Sequence, residues 1–455
     1  MNDTRNLRDS ARAIFDDALA AVDARRAVLE AVRVEGRSLR VFGESFDLRE
    51  RHAKIYSVAL GKAAAAMASA LEERLGDSLA GGVLSAPPSD ARLSERWRVF
   101  EGGHPLPNAA SLDAARAAFE LLDEADASTA LVVFLVSGGG SAMLEWPRDA
   151  AVTLEELREA NRVLVSCGAA IDEVNAVRRA LSAVKGGGLS LRAPHASQLT
   201  LVVSDVPRGR ERDVASGPTL APDGDSPDAR EVVARYSLGS KLPPSVKRLL
   251  EEVAPHVTDD ARESSRGQQA PRSHYVLLDN DSACEAASES ARARGFAFEF
   301  ARDVCEQPVG EGAALLISRL FELYAREGEG RRVCLVSGGE FACPVRGGGV
   351  GGRNSETALR CAFELEKALR ERKGGASPRR VVALCVGTDG VDGNSPAAGA
   401  IACDSTLRRA DARGLDAAKH LEESDAYTLF ESLGDAIHTG PTGTNVRDLR
   451  ILLAE

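Results

Sequence analysis

The run ALVVFLVSGGGSA, Ala130 to Ala142, decides the fold. Its apolar stretch, Ala130 to Val136, is too short to span a bilayer and too continuous for a strand with one wet face. It reads as a strand buried on both sides, and Ser137-Gly138-Gly139-Gly140-Ser141 reads as the turn by which the chain leaves it. Similar runs flank it: IYSVALG (55–61), GGVLSA (81–86) and LTLVVSD (199–205). Helical patterns separate them, one opening near Lys62 and others around 153–183. Buried strands alternating with helices predict a parallel sheet covered on both faces.

Farther out, the alanine-rich segment from Asn6 to about Val34 carries Ile14, Leu19 and Val22 at helical spacing and predicts one long helix or two. A polar stretch without periodicity, Ala254 to Arg272, reads as a linker or exposed loop. Beyond it the alternation resumes with HYVLLDN (274–280), a helix from about Asp281, AFEFA (297–301), a helix near 311–327 and RRVCLVSGGE (331–340). A helix from about Arg353 and the strand VVALCVGTDG (381–390) complete it. The expected class is therefore α/β, with two lobes that each hold a largely parallel sheet flanked by helices. They are expected at 1–253 and 273–455, joined by 254–272. VSGGGSA (136–142) and VSGGEFA (336–342) look like an internal repeat, while the segment 438–451 has no readable place.

Composition narrows the function. The 455 residues carry a net charge of −11, which argues against a nucleic-acid partner, since such surfaces are basic. MNDTRNLRDSARAIF has no apolar core of the signal-peptide kind, so export is not expected and the cytoplasm is. The eight cysteines form no C-x-x-C pair and give no zinc pattern. The 42 glycines cluster after apolar runs, where tight turns need them.

Those turns are the candidate chemistry. Ligands of open parallel sheets bind beyond the carboxyl ends of the strands. At Ser137–Ser141, glycine backbones can converge on an anion and the serines add donors. In RGGGVGGRNSE (346–356), Gly352, Arg353 and Asn354 fall at a helix start, where a guanidinium and free amides suit a phosphate or carboxylate. Asp389, in GTDGVDG (387–393), suits magnesium held partly through water. Thr439 to Asn445 is dense in hydroxyl and amide groups. Lys62 leaves a strand end, Arg178 and Lys185 lie in NAVRRALSAVKGGG, and His104 lies in GGHPLPN. For each, the competing reading is plain: a ligand-free turn, a hairpin tip, a solvated lysine, a structural histidine. Neither loop is a P-loop or a dinucleotide fingerprint.

Taken together the segments resemble the glycerate 2-kinase family with the MOFRL-type C-terminal domain. The matching pieces are ALGKAA (59–64), GGHPLPNAAS (102–111), LVSGGGSAML (135–144), NAVRRALSAVKGGGL (175–189) and SDV with ASGPT (204–219). LVSGGE (335–340), GGGVGGRNSE (347–356), GTDGVDG (387–393) and TGPTGTNVRDL (439–449) follow in the same order. The resemblance implies ATP and Mg2+ as cofactors, D-glycerate or a close hydroxy acid as substrate, and an active site enclosed by two α/β domains. By the same resemblance Lys62 and Arg353 are the essential cations and Ser137–Ser141 belong to the phosphate surface. Asp205 or Asp389 then holds the metal or orients the hydroxyl.

Four departures bear on the substrate. The chain reads Ser204-Asp205-Val206-Pro207 into Arg208-Gly209-Arg210 where relatives run S-D-V-x-G-D. It reads Val177-Arg178-Arg179-Ala180 where they have V-R-K-H. The residues Asn394-Ser395 and Ser355-Glu356-Thr357 differ as well. Two other functions compete with the kinase: a hydroxypyruvate reductase, and a non-catalytic binder of a phosphorylated metabolite. A homodimer is carried as the expected assembly, with no residue pattern behind it.

Overall fold

The computed structural model describes residues 2–36, 38–47, 54–222, 224–252, 270–371 and 378–455. The chain divides into two compact units, Ala24–Leu278 and a second made of Met1–Asp23 with Asp279–Glu455.

In the Ala24–Leu278 unit, β1 (Val32–Glu35), β2 (Ser38–Val41) and β3 (Glu44–Asp47) form a small antiparallel sheet. The main sheet consists of β4 (Ile55–Leu60), β5 (Leu79–Ala86), β6 (Trp97–Glu101), β7 (Leu131–Ser137), β8 (Ser197–Val203) and β9 (Arg272–Leu278). All its pairings are parallel, in the order β6-β5-β4-β7-β8-β9. The chain therefore builds outward one way from β4 and then the other way from β7. Such a reversal leaves a crevice at the carboxyl ends of the two central strands. Every residue of β4, β7 and β8 is buried, as their unbroken apolar runs require. The helix Ala109–Ala127 starts at Asn108, whose side chain accepts the Ser111 amide. Its Ala114, Ala115 and Ala118 share one core with Val58, Val83 and Val132, small side chains letting helix and sheet approach closely. Helices Leu154–Ser166 and Ile171–Leu181 form a separate core with Ala229–Arg235 and Pro244–Glu252.

The second unit holds β10 (Ala297–Phe300), β11 (Val333–Gly339), β12 (Val381–Gly387), β13 (Gly399–Cys403), β14 (Ala436–Ile437) and β15 (Asp448–Ala454), in the order β10-β11-β15-β12-β13-β14. The α/β class and the two helix-flanked sheets stand as expected. The parallel character holds fully only in the first sheet. In the second, four of the five pairings are antiparallel, because β15 runs back between β11 and β12 and β13 folds back on β12.

The domain boundaries also need correction. Helix Asn2–Ala21 belongs to the second unit: Leu7, Ala11, Ile14, Phe15 and Ala18 share a core with Val336, Val382, Ile451 and Leu453. That stripe, at positions four, seven, eight and eleven after Leu7, is one helix face, and β12 and β15 bury it. In turn β9 completes the first sheet, so the chain passes between the units at Leu278 instead of at 253–273. Most of the expected linker, 253–269, lies outside the described residues.

Candidate active site

The exits of β4 and β7, at the reversal of strand order, gather the first group of residues. The Lys62 amide donates to the Gly138 carbonyl at 2.9 Å and the Ala63 amide to Ser137 Oγ at 3.0 Å, tying one exit to the other. A Cβ on Gly138 would stand 1.9 Å from Asp205 Oδ2, so only glycine lets that carboxylate lie against the turn. Beside left-handed Gly139 (φ 83°), the His104 ring and the Lys62 stem lie 3.1 and 3.2 Å from where a Cβ would be. Lys62, His104, Asp205 and Ser137–Ser141 thus meet at one strand-end turn. Among the described residues, the amides of Gly139, Gly140 and Ser141 donate to no protein acceptor.

Ser141 continues inward. Its hydroxyl lies 2.9 Å from that of Ser216, which donates to Asn175 Oδ1 at 3.1 Å. Arg178 reaches the same Asn175 oxygen at 3.5 Å and donates from Nε to Asn161 Oδ1 at 2.9 Å. Lys185 does not join this surface as expected. It is 2% exposed and its ammonium donates to Glu145, which also accepts the Ser182 hydroxyl at 2.5 Å. Burial lowers the lysine pKa and Glu145 opposes the shift. A lysine so placed has no open face for a phosphate; it steadies Glu145.

The second unit repeats the turn. A Cβ on Gly338 would lie 1.8 Å from Asn280 Oδ1, as one on Gly138 would from Asp205, and Gly339 is left-handed at φ 80°. The repeat VSGGGSA/VSGGEFA is thus one backbone design with a carboxylate against it in one unit and an amide in the other. Beneath the second turn lies Arg450, wholly buried, donating to Ser337 Oγ at 3.0 Å and the Gly339 carbonyl at 3.1 Å while its guanidinium covers the Phe341 ring.

Arg353 opens the helix Arg353–Glu371. Its Nε donates to Asp448 Oδ2 at 2.5 Å, and Nη2 lies 3.1 Å from Glu340. Asn354 Nδ2 donates to the other Asp448 oxygen at 2.9 Å. Asp448 starts β15 in register with Gly339 and Gly387, the last residues of β11 and β12. Burial works against the charge of Arg353, yet Asp448 and Glu340 outweigh it and hold the guanidinium firmly protonated. Asp389 Oδ1 accepts the Val391 amide at 3.1 Å, and the Thr442 amide donates to the Asp389 carbonyl at 3.2 Å, joining GTDG to TGPTGTN.

The glycine-rich loop before Arg353 is not an open phosphate cradle. From Gly349 to Gly352 its amides are engaged: Gly349 with Glu423 O at 2.9 Å, Val350 with Asp425 at 2.8 Å, Gly351 with Asn394 at 2.8 Å and Gly352 with Ser355 Oγ at 3.1 Å. The helix N-terminus is filled too. The Asp392 carboxylate accepts the amides of Asn354 and Ser355, each at 2.8 Å. A side-chain anion stands where the sequence placed a phosphate, which corrects the roles expected of Gly352 and Asn354. The second acid of GTDGVDG, read only as part of a turn, was the signal for this cap. Asp448, Glu340, Asn175 and Ser216 were also missed; all lie inside quoted motifs, but nothing local marks them. A cavity of about 540 Å³ opens beside Arg353, bounded by Val345, Gly351, Val391 and Ser424.

No group of three or more His, Cys, Asp and Glu side chains forms a metal cage among the described residues. Asp205 in the first unit and Asp389 in the second are each the kind of oxygen donor that suits Mg2+, which keeps several of its waters. Among the described residues no helix is long and apolar enough to cross a membrane.

Comparison with known proteins agrees with these motifs. A family described as a domain of unknown function, DUF4147, matches residues 10–251, and the MOFRL family matches residues 333–448. D-glycerate 2-kinase of Thermotoga maritima is 33% identical over 88% of this chain and 90% of its own length. A protein of Agrobacterium vitis, 36% identical over 87% of this chain and 98% of its own, bears the name hydroxypyruvate reductase only provisionally. The crystal structure of glycerate kinase from Thermotoga maritima superposes with a TM-score of 0.79 at 31% identity, covering 99% of this chain and 100% of that one. With its motifs collinear, its fold matched end to end and both family segments present, the chain belongs to the glycerate 2-kinase family.

Proposed function

We propose that the protein transfers the γ-phosphoryl group of ATP to the 2-hydroxyl of D-glycerate, or of a close hydroxy acid, giving the 2-phosphate and ADP. The observation that carries this is the strand-end turn Ser137–Ser141, with unengaged amides beside Lys62, His104 and Asp205. Phosphoryl transfer needs little covalent help from a protein; it needs positioned donors and charge neutralisation. The turn offers amides to phosphate oxygens, and the Lys62 ammonium answers the charge that builds on the transferred group. Asp205, held against Gly138, orients the attacking hydroxyl and receives its proton. In its own unit Arg353, fixed by Asp448 and Glu340, is the other cation that the family motifs make essential. Mg2+, when bound through Asp389 or Asp205, neutralises phosphate charge. All eight cysteines are free, in keeping with a reducing cytoplasm, where we place the protein.

The direct test is ADP formation by purified protein, which requires D-glycerate and Mg2+ together, with phosphorus NMR assigning the 2-phosphate. Replacing Lys62 with alanine lowers kcat about 10²–10³-fold if the ammonium stabilises transferring charge. NADH oxidation with hydroxypyruvate in the absence of ATP would instead establish the reductase.

A further inference from the structure

Arg178 is a partly buried cation without an acid of its own. Its neighbours are provided for: Arg179 is paired with Asp213 at 3.2 Å, and Lys185 with Glu145. Arg178 meets only two amide oxygens, those of Asn161 and Asn175, and among the described residues no carboxylate lies within ion-pair distance of it. Glu145 acts on it from farther away, but that carboxylate is already taken by Lys185 and Ser182. A guanidinium drawn out of water with no counter-ion is costly unless an anion arrives to meet it.

The surroundings say which anion. Asn175 and Ser216, 4% and 2% exposed, connect Arg178 to Ser141 of the phosphate turn in three hydrogen-bond steps. Ser216 is held in the left-handed region (φ 60°) directly after Ala215 (φ 51°), a conformation unfavourable for non-glycine residues. Backbone bonds from Gly186 to Ser216 O at 3.1 Å and from Gly187 to Gly217 O at 2.7 Å fix it. Strain of this kind, locked from outside, aims a side chain; here it aims the Ser216 hydroxyl at Ser141 and Asn175.

We infer that Arg178, with the Ser141 and Ser216 hydroxyls and with Asn175 as a positioning residue, forms the subsite for the carboxylate of the hydroxy acid. This rests on the kinase reading for the identity of the acid, whereas the anion site rests on Arg178 alone. In a 2-hydroxy acid the carboxylate is one bond from the carbon that bears the reacting oxygen. A carboxylate seated on Arg178 therefore presents that oxygen toward the turn holding the phosphate. The site selects hydroxy-carboxylates over polyols of the same size, because a neutral group leaves the cation unmet.

The test compares wild type with R178M, R178K and S216A, using D-glycerate, its uncharged amide and glycerol as acceptors. R178M raises KM for D-glycerate by about 30-fold or more and erases the preference for glycerate over its amide, while KM for ATP stays within about twofold. R178K recovers part of the loss. S216A raises KM for glycerate about 3–10-fold. Because R178M removes an uncompensated charge, its melting temperature does not fall; R178K serves if R178M fails to fold. An unchanged KM for glycerate in R178M, or a rise confined to ATP, overturns the subsite and leaves the kinase standing. If wild type makes no glycerate-dependent ADP, the kinase reading fails. Calorimetric binding of D-glycerate without ATP, lost in R178M, then still supports the subsite, and equal or absent binding in both overturns it.

Discussion

Arg353 Nε stands 2.5 Å from Asp448 Oδ2, and the same carboxylate accepts from Asn354 Nδ2 through its other oxygen at 2.9 Å. One acid at the start of β15 therefore sets the direction of two consecutive side chains on the helix that follows the glycine loop. It can do so because its backbone is in register with Gly339 and Gly387 at once. Asp448→Asn keeps the shape, removes the charge and turns one acceptor into a donor facing a donor. Steady-state ADP assays are expected to show kcat lower by about 10–100-fold, the scale of a small misplacement of a charged group. An unchanged kcat would take Asp448 out of the site.

Glu340 gives a pH signature. Burial raises its carboxyl above the ordinary glutamate range; Arg353 opposes the shift, while Asp448 and Asp389 add to it. A raised native pKa means that its contribution to stability is fully present below the ordinary glutamate value and is lost as pH rises through the raised one. Glu340→Gln should therefore match wild type at low pH in urea unfolding and gain on it toward neutrality. The difference should be small, because the side chain is 38% exposed. In activity, the part of the acid fall-off that Glu340 contributes is expected above the normal carboxylate range, and E340Q should lack that part. Parallel profiles for the two proteins would refute this.

The pair Lys185 and Glu145 is 2% and 5% exposed at its side chains. Removing either partner strands a buried charge, so Lys185→Met or Glu145→Gln is expected to cost about 3–5 kcal/mol. The double replacement by apolar residues of similar volume should recover most of that loss. Unfolding midpoints decide the matter, and additive losses in the double variant would argue against a self-contained pair.

Two sequence departures meet at one acid. Arg179, from the altered helix, and Arg210, from the altered loop, share Asp213 at 3.2 and 2.6 Å. Asp213→Ala leaves the 4% exposed Arg179 without its counter-charge and is expected to cost about 3 kcal/mol, visible as a lower urea midpoint. Wild-type stability in D213A would mean that the arginines find another partner.

These arginines show what the sequence could convey. The changes at 179 and 208–210 were visible as changes, but the acid that joins them lies 34 residues from Arg179. The central strands β4, β5, β7, β8, β11 and β12 were legible because buried strands are unbroken apolar runs, whereas β6, β13 and β14 were not read. Lys62, His104, Asp205 and the Ser137 turn fell together because strand-end loops converge at a reversal of strand order. The glycine loop at 346–352 misled, since glycine content does not reveal whether amides are free. Three of its acceptors, Glu423, Asp425 and Asn394, come from distant turns. The helix Asn2–Ala21 was read as a helix, but its stripe names no partner. β15 is seven residues long, and only non-local antiparallel pairing gives it a place.

That placement has a consequence for biosynthesis. β11 and β12 share no hydrogen bonds; the strand between them is the last of the sheet to leave the ribosome, and the helix that covers them is the first. The Ala24–Leu278 unit is continuous and can mature during translation, whereas its companion must keep two apolar strand edges waiting for its final segment. Chaperone demand should accordingly fall on the half of the protein that carries Arg353.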